Sequence, residues 1–191
     1  MPPRRRSIAV PLPTVDDVFV AIDFETADHG ADSACSVGLV RVERLQVVRR
    51  EVVLLKPPRS RILFTFVHGI SWPMVAQAPR FVDAWPQLAS ILDGASFFAA
   101  HNASFDQRVL TTCCTNGGLR VPELPFLCTV QLARRTWRLP RANLPAVCGH
   151  LGIGLKHHDA GSDAEACARI VIAAAHVREA ANRSEPADRS T

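Results

Sequence analysis

The most restrictive feature of this sequence is an uninterrupted apolar run over residues 18–22 that leads directly into Asp23-Phe24-Glu25-Thr26. Five consecutive apolar residues that favour β-structure predict a strand buried on both faces, as at the centre of an α/β sheet. Because side chains alternate along a strand, Asp23 and Glu25 point to the same side, with Cα atoms about 7 Å apart. The sequence therefore predicts a core strand that carries two carboxylates at its end.

Two carboxylates beside an apolar segment repel each other and are costly to remove from water. A divalent cation offsets both costs, and Mg²⁺ and Mn²⁺ prefer the oxygen ligands that Asp and Glu supply. This segment alone leaves an alternative open, because acidic pairs are common. In that alternative, Asp23 and Glu25 face solvent in a loop after the strand.

The rest of the chain indicates a mixed sheet. Apolar runs over 35–42 and 45–55 are joined by Glu43-Arg44, which predicts an antiparallel hairpin, and further strands are expected at 96–100 and 127–129. Helices are expected over 81–92, 104–116, 130–137, 143–151 and 162–181, with 60–80 irregular. Two of these helices begin with the spacing of a capping box, Ser104 with Gln107 and Ser162 with Glu165. The expected fold is α/β, a five-stranded mixed sheet with three antiparallel strands and then parallel ones, flanked by helices.

The 191 residues are enough for one domain with a substantial core, and 48% hydrophobic with 21% charged residues excludes disorder over the whole length. Prolines and arginines over 1–17 predict a flexible N-terminal extension, followed by a domain over 18–181 and a flexible polar tail over 182–191. No apolar stretch approaches the ~20 residues of a membrane-spanning helix. The N-terminus also lacks an apolar signal segment, so we expect a cytoplasmic protein without a membrane partner.

Cysteine usage and charge restrict the chemistry further. The six cysteines form no C-x-x-C pair, which predicts buried free thiols rather than a zinc site or a disulfide framework. A net charge of +4 permits a nucleic-acid partner without establishing one. The densest basic stretch, 134–141, is either a track for a nucleic-acid backbone or a solvated helix face. Arg4-Arg5-Arg6 would add nonspecific attraction to an anionic partner.

Two later segments bring further acids to helix starts. Asp106 lies in the first turn after the strand at 96–100, and Asp163 begins the last helix, with His158 in the preceding loop. Each acid alone is ordinary, because helix N-termini favour acidic residues. In an open α/β sheet, however, strand ends and helix starts gather at one rim. We therefore expect four acids and His158 to converge around one cleft, as two-metal phosphoryl chemistry requires.

These segments resemble the DnaQ-like 3′→5′ exonucleases of the ribonuclease H-like fold, in the DEDDh subgroup. The motif D-x-E-T matches Asp23 to Thr26, H-N-x-x-F-D matches 101–106, and H-x-x-x-x-D matches 158–163. The segments 67–71 and 144–153 are also similar to the family, so the resemblance covers about residues 18–178. One departure follows the first motif, where many members continue T-T-G and this chain has Thr26-Ala27-Asp28-His29-Gly30.

The resemblance implies a metal-dependent 3′→5′ exonuclease that releases nucleoside 5′-monophosphates by a two-metal mechanism, with DNA favoured. Two Mg²⁺ or Mn²⁺ ions would be held by the acids. Asp23 would bridge both ions, and Glu25 and Asp163 would complete the site of the attacking water. Asp106 would hold the second ion, partly through water, and His158 would be the general base.

The resemblance also implies substrate contacts, on a nucleic acid with a free 3′ end that is expected to be single-stranded. The candidate contact residues are Phe24, Thr26, His68, Asn102 and Phe105. Phe66 is another candidate for stacking on a base, although residue type favours core positions for Phe66 and Phe105 and a turn for Asn102. A polymerase or repair partner is possible and is not identified by any segment. The alternatives are an oligoribonuclease-like RNA-trimming enzyme and a noncatalytic nucleic-acid-binding module, which would be expected to lose acids that this chain retains.

Overall fold

A computed structural model describes residues 12–184 of the chain. Residues 1–11, with Arg4-Arg5-Arg6, and residues 185–191 lie outside the described residues, as do most of the expected extension and tail. Within the described part, Arg178 on the last helix donates a hydrogen bond to the carbonyl oxygen of Leu12. Over the same range, no helix combines the length and the apolar character that crossing a membrane requires.

The central sheet has five strands in the order β3-β2-β1-β4-β5. β1 (Phe19–Thr26) pairs antiparallel with β2 (Ala34–Glu43), which pairs antiparallel with β3 (Gln46–Leu54). On its other side β1 pairs parallel with β4 (Phe97–Ala100), and β4 pairs parallel with β5 (Phe126–Cys128). The predicted mixed five-stranded sheet is confirmed.

Helices cover both faces of the sheet, as expected. In chain order they are α1 (Thr65–His68), α2 (Trp72–Val75), α3 (Phe81–Leu88) with a 3₁₀ turn (Ala89–Leu92), α4 (Ser104–Asn116), α5 (Thr129–Trp137), α6 (Leu144–Leu151) and α7 (Ala160–Ser184). α1 and α2 are short and fall in the segment expected to be irregular. The 25-residue α7 lies against β1 and β2, and its first turn carries Asp163.

The first apolar run explains why β1 is central. Phe19 and Ala21 lie in one hydrophobic cluster with residues of α5, α6 and α7, whereas Val20 and Ile22 lie in a second cluster with residues of α3 and α4. All four side chains have no solvent exposure. Because side chains alternate along the strand, β1 contributes apolar side chains to both layers of the core. This burial on both faces fixes the position of the acidic residues at the end of β1.

Both predicted capping boxes are wrong. Ser104 is the first helical residue of α4, and Ala103 before it makes no side-chain cap. At α7 the capping oxygen belongs to Asp159, whose Oδ1 accepts a hydrogen bond from the Ser162 N–H. Glu165 instead pairs with Arg50 and Arg169. The S-x-x-E/Q spacing also occurs inside helices, so the pattern alone does not fix where a helix begins.

A glycine in β2 sets how closely α7 approaches the sheet. Gly38 lies opposite Asp23 in the β1–β2 ladder. A Cβ atom at Gly38 would lie 2.0 Å from the carbonyl oxygen of Ala160, the first residue of α7. Because Gly38 has no side chain, the start of α7 contacts the strand backbone directly, and this contact brings Asp163 to the end of β1.

We expect Gly38→Ala to lower the free energy of unfolding by about 1–3 kcal/mol or more, because the new methyl overlaps backbone atoms that cannot rotate away. Chemical denaturation followed by circular dichroism measures the change. Gly149→Ala in α6 is the matched control, since a Cβ there meets nothing within 4 Å. Equal stability of both variants would contradict the close-approach argument.

Candidate active site

Three carboxylates meet at the end of β1. One oxygen each from Asp23, Glu25 and Asp163 lies within 4.8 Å of the other two. β1 continues through Thr26, and Glu25 is only 9% exposed, so the alternative of a solvent-facing loop is wrong. Asp23 remains partly accessible to solvent. The geometry leaves an approach to the cluster open on the Asp23 side.

Asp106 joins this group from the first turn of α4. Its Oδ1 accepts a hydrogen bond of 3.0 Å from the N–H of Phe24, between the two β1 acids. Its Oδ2 is buried and has no hydrogen-bond partner among the described residues. The strand backbone therefore orients this carboxylate and leaves one oxygen unused.

Asp163 shows the same division between its two oxygens. Oδ2 accepts hydrogen bonds from the His157 ring at Nδ1, 2.9 Å away, and from the backbone N–H of His158, 3.1 Å away. Oδ1 is buried and without a partner in the described part of the chain. Unpaired buried carboxylate oxygens are costly and need an explanation, which a bound cation supplies.

The electrostatics of the cluster agree with this interpretation. Removal from water, followed by the charges of Asp106 and Asp163, raises the pKa of Asp23 well above its usual value. Burial, then the charges of Asp163 and Asp159, raises the pKa of Glu25 to about 7. Burial also raises the pKa values of Asp106 and Asp163.

No arginine or lysine of the described residues pairs with any of these four acids. Their donor set of carboxylate oxygens suits a hard divalent cation.

The two adjacent histidines occupy different positions. Both are exposed, but His157 makes the ring contact with Asp163, and His158 stacks on His157 with ring centroids 3.8 Å apart. The backbone of His158 has φ 66°, in the left-handed region. Burial and the charge of His157 lower the pKa of His158. Sequence reasoning missed His157, although the His-His doublet was the signal that could have identified it.

The expected substrate contacts divide between the core and the surface. Phe24 is buried and packs against Phe81, so only its backbone is available near the acids. Thr26 is buried, and its carbonyl oxygen accepts a hydrogen bond of 3.2 Å from His68 Nε2. Asn102 is exposed, in the turn before α4, with φ 63°.

The two phenylalanines differ in the same way. Phe105 packs partly against the core and also lines, with Thr26 and Phe64, a cavity of about 220 Å³; Thr26 and Phe105 are the sequence neighbours of Glu25 and Asp106. The expected core position is wrong for Phe66, which is 85% exposed on α1. The four-residue α1 has no buried residue, so its aromatic side chain has no core surface to cover.

An ion-pair network holds the loop in which the sequence departs from the family pattern. Arg59 donates to Asp28 at 2.7 Å and to Asp32 at 2.6 Å. The hydrogen bonds from Arg59 to Asp28 lower the pKa of Asp28 to about 2. His29 in the same loop contacts the Phe64 ring edge-on, with centroids 4.9 Å apart. The loop thus has a defined shape at one wall of the cavity.

A mixed sheet in this strand order, with acids at the end of its central strand and at two helix starts, defines a ribonuclease H-like nuclease domain. The exonuclease family RNase_T matches residues 20–171, and the chain belongs to this family. Its DnaQ-like relationship, expected from the motifs, is confirmed.

Curated relatives are longer proteins. The chain is 31% identical over 162 residues to a DNA polymerase III PolC-type protein of Thermotoga maritima, an alignment that covers 82% of this chain and 12% of the relative. It is 33% identical over 108 residues to Exodeoxyribonuclease 10 of Escherichia coli K12, covering 52% of this chain and 42% of that protein. The chain therefore spans only a small part of the PolC-type relatives.

Solved structures show the same fold. Exonuclease X in complex with 5′ overhanging duplex DNA superposes with a TM-score of 0.67 at 27% identity, covering 84% of this chain and 93% of that one. A full-length 3′-exonuclease has a TM-score of 0.70 at 18% identity, covering 89% and 84%. The second likeness concerns the fold alone.

We expect Glu25→Gln to stabilise the metal-free protein at pH 8 and to leave it unchanged near pH 4. The folded pKa of Glu25, about 7, exceeds its ordinary 4.5. Ionisation of Glu25 therefore costs stability progressively as pH rises from 4.5 through 7, by on the order of 3 kcal/mol. Urea denaturation in chelator at both pH values measures the effect.

Glu165→Gln is the control of opposite sign. Hydrogen bonds from Arg50, then Arg169, lower the pKa of Glu165 to about 2, so its ionised form stabilises the fold. This variant should lose stability at pH 8. A Glu25→Gln protein less stable than the parent at pH 8 would contradict the burial argument.

Proposed function

We propose that this exonuclease is metal-dependent and hydrolyses phosphodiester bonds at 3′ ends, releasing nucleoside 5′-monophosphates. The observation that supports this most strongly is the set of four carboxylates at the end of β1, two of them with a buried oxygen that lacks any partner in the described residues. Four unpaired acids held together lower the stability of the fold, and bound cations would offset this cost.

The residues fit two hard cations, Mg²⁺ or Mn²⁺. Asp23, at the centre of the group, would contact both ions, with Glu25 and Asp163 completing one site and Asp106 offering its free Oδ2 to the other. When bound, such ions lower the pKa of a coordinated water and neutralise charge on the phosphate. Each acid is also held by a hydrogen bond or by burial, which fixes the orientation of its carboxylate.

His158 is the proposed general base. Its ring is exposed beside the acids, and its lowered pKa keeps it neutral, and so able to accept a proton, near pH 7. His157 holds Asp163 through Nδ1 and would be a positioning residue. The two histidines thus divide proton transfer and ligand orientation between them.

The proposed substrate is DNA with a free 3′ end, single-stranded at that end. Supporting this are the printed names of the relatives, Exodeoxyribonuclease 10 and PolC-type DNA polymerase, and the duplex DNA bound to Exonuclease X. Exposed Phe66 and the cavity at Thr26 and Phe105 offer surfaces for bases.

Basic and thiol groups fit the same proposal. The exposed side chains Arg134, Arg135, Arg138 and Arg141 have no carboxylate partner among the described residues, as a track for phosphates requires.

All six cysteines are free thiols, which suits the reducing cytoplasm.

We expect Asp23→Asn to reduce hydrolysis at least about a thousandfold while the fold is kept, because it removes the charge central to the cation sites. The assay is a panel of 5′-labelled single- and double-stranded DNA and RNA with Mg²⁺, Mn²⁺ or chelator. Asp93→Asn, at an exposed site before β4, is the matched control.

Several results of this panel would contradict the proposal. Activity that persists in chelator excludes the metal dependence, and stepwise loss from the 5′ end excludes the polarity. Preference for RNA would favour the trimming enzyme over the DNA exonuclease. Binding without hydrolysis under every condition would favour the noncatalytic module.

We expect His158→Ala to lower kcat by about 10²–10⁴-fold, because proton transfer is lost while all four carboxylates remain. The metal concentration for half-maximal rate should change little. His157→Ala should lower kcat by less than about tenfold and raise that metal concentration, because Asp163 loses its orienting bond. Near-normal turnover of His158→Ala at saturating metal would refute the base assignment.

A further inference from the structure

Two imidazoles and a carboxylate lie together where the loop before α7 meets the helix. His157, His158 and Asp163 each bring one donor atom within 4.8 Å of the donors of the other two. The Nδ1 atom of His157 and the Oδ2 atom of Asp163 are already 2.9 Å apart, and the two imidazole rings stack with centroids 3.8 Å apart. This group differs in kind from the four acids at the end of β1, because two of its three donors are nitrogen atoms.

The spacing of the three donors suits one metal ion. A zinc ion binds imidazole nitrogen and carboxylate oxygen at about 2.0–2.2 Å, so two ligand atoms of the same ion lie at most about 4 Å apart. The contact of 2.9 Å between His157 and Asp163 is within this limit. The largest spacing that the group allows, 4.8 Å, exceeds the limit by less than about 1 Å.

A rotation of one exposed ring closes that gap. The planes of the two imidazoles are within 21° of parallel, so the lone pairs of their nitrogen atoms do not yet converge on one point. The side chain of His158 is exposed, and its ring makes no hydrogen bond with the described residues. Exposed side chains change rotamer rapidly, so His158 can turn toward an ion without breaking a bond that the structure shows.

Backbone hydrogen bonds hold the loop against the first turn of α7. The Lys156 N–H donates to Ser162 Oγ at 2.8 Å, and the Asp163 N–H donates to the carbonyl oxygen of Asp159 at 2.8 Å. The His158 N–H donates to Asp163 Oδ2 at 3.1 Å. Both histidines therefore lie beside the carboxylate before any ion binds, and binding requires little further ordering of the chain.

We propose that His157, His158 and Asp163 bind a transition-metal ion, with Zn²⁺ as the representative, at a site separate from the cations of the four acids. Imidazole is a good ligand for Zn²⁺, Ni²⁺ and Cu²⁺, whereas Mg²⁺ prefers oxygen, so the donor set discriminates against the ion proposed for catalysis. The ion takes the place of the proton between His157 Nδ1 and Asp163 Oδ2. That proton moves to Nε2 of the same ring, which stays neutral. Asp163 Oδ1 has no partner in the described part of the chain and remains available to the other cations.

An ion at this site inhibits hydrolysis. A neutral imidazole has one nitrogen lone pair, and a metal ion bound to it leaves His158 unable to accept a proton from water. The inhibition rests on the proposed function, in which His158 is the general base. The metal site itself does not, because it depends only on the three donors and their spacing.

Calorimetric titration with Zn²⁺ tests the site without any nucleic acid. We expect the full chain, in saturating Mg²⁺, to bind one Zn²⁺ ion. His157→Ala and His158→Ala should each weaken this binding at least about tenfold, because each removes one of three ligands. Asp23→Asn should keep the binding, since it changes only the four-acid cluster.

His176→Ala is the matched control, because His176 is an exposed histidine of α7 that lies 3.9 Å from another carboxylate, that of Glu179. This variant should bind Zn²⁺ like the parent chain. Circular dichroism should show all the variants folded, since each replaced histidine is exposed.

A hydrolysis assay in saturating Mg²⁺ tests the inhibition. Zn²⁺ in the range that binds the parent chain should lower its rate at least about tenfold, because the general base is lost. His157→Ala should need at least about tenfold more Zn²⁺ for half-maximal inhibition of its own rate. His176→Ala should be inhibited like the parent.

Four results would contradict these expectations. A parent chain that binds no Zn²⁺ beside saturating Mg²⁺ overturns the proposal, and so does binding that is undiminished in both histidine variants. Binding that Asp23→Asn abolishes overturns it as well, because the ion then lies among the four acids. Hydrolysis that continues unchanged with Zn²⁺ bound overturns the inhibition. A parent chain without any hydrolysis contradicts the proposed function instead, and the calorimetric titration still decides the metal site.

Discussion

Mutual repulsion among buried carboxylates is the constraint on which the rest of this structure depends. Asp23, Glu25, Asp106 and Asp163 come together without a basic partner from the described residues, and burial raises the pKa of each. Two hydrophobic clusters on either side of β1 hold the strand against this repulsion. Repulsion among the acids lowers the stability of the metal-free protein. A divalent cation bound there would relieve the repulsion, and this relief favours its binding.

Two helices reduce that repulsion from outside the sheet. Asp106 and Asp163 both lie in first turns, where the positive end of the helix dipole favours a carboxylate. Each of the two also gives one oxygen to local donors and leaves the other unbonded within the described part of the chain. The fold therefore orients these acids without neutralising them. Fixed cationic side chains would neutralise the acids and weaken their attraction for a cation. No such partner is present among the described residues, and the two helix N-termini favour the carboxylates without neutralising them.

The parts of this arrangement that sequence could predict are those set by local periodicity. The apolar run before Asp23 determined the central strand, and alternation determined that Glu25 shares its face. The contact of Gly38 with α7 could not be predicted, because it joins segments far apart in the chain and leaves no local signal. The roles of the two histidines were equally hidden, because only the structure shows that the ring of His157 is hydrogen-bonded to Asp163 and that His158 has a left-handed backbone.

The acids and the loop after the first motif lie in different surroundings. The acids occur on buried segments, where a shift of β1 would disturb both core clusters and a shift of α7 would disturb the first of them. The departure from the family pattern lies instead in the loop fixed by Arg59 through Asp28 and Asp32, at the surface beside the cavity. Ion pairs at a surface can be exchanged at small cost to stability, whereas buried strand positions cannot. The sequence of this loop can therefore change at small cost to stability while the geometry of the acids stays fixed.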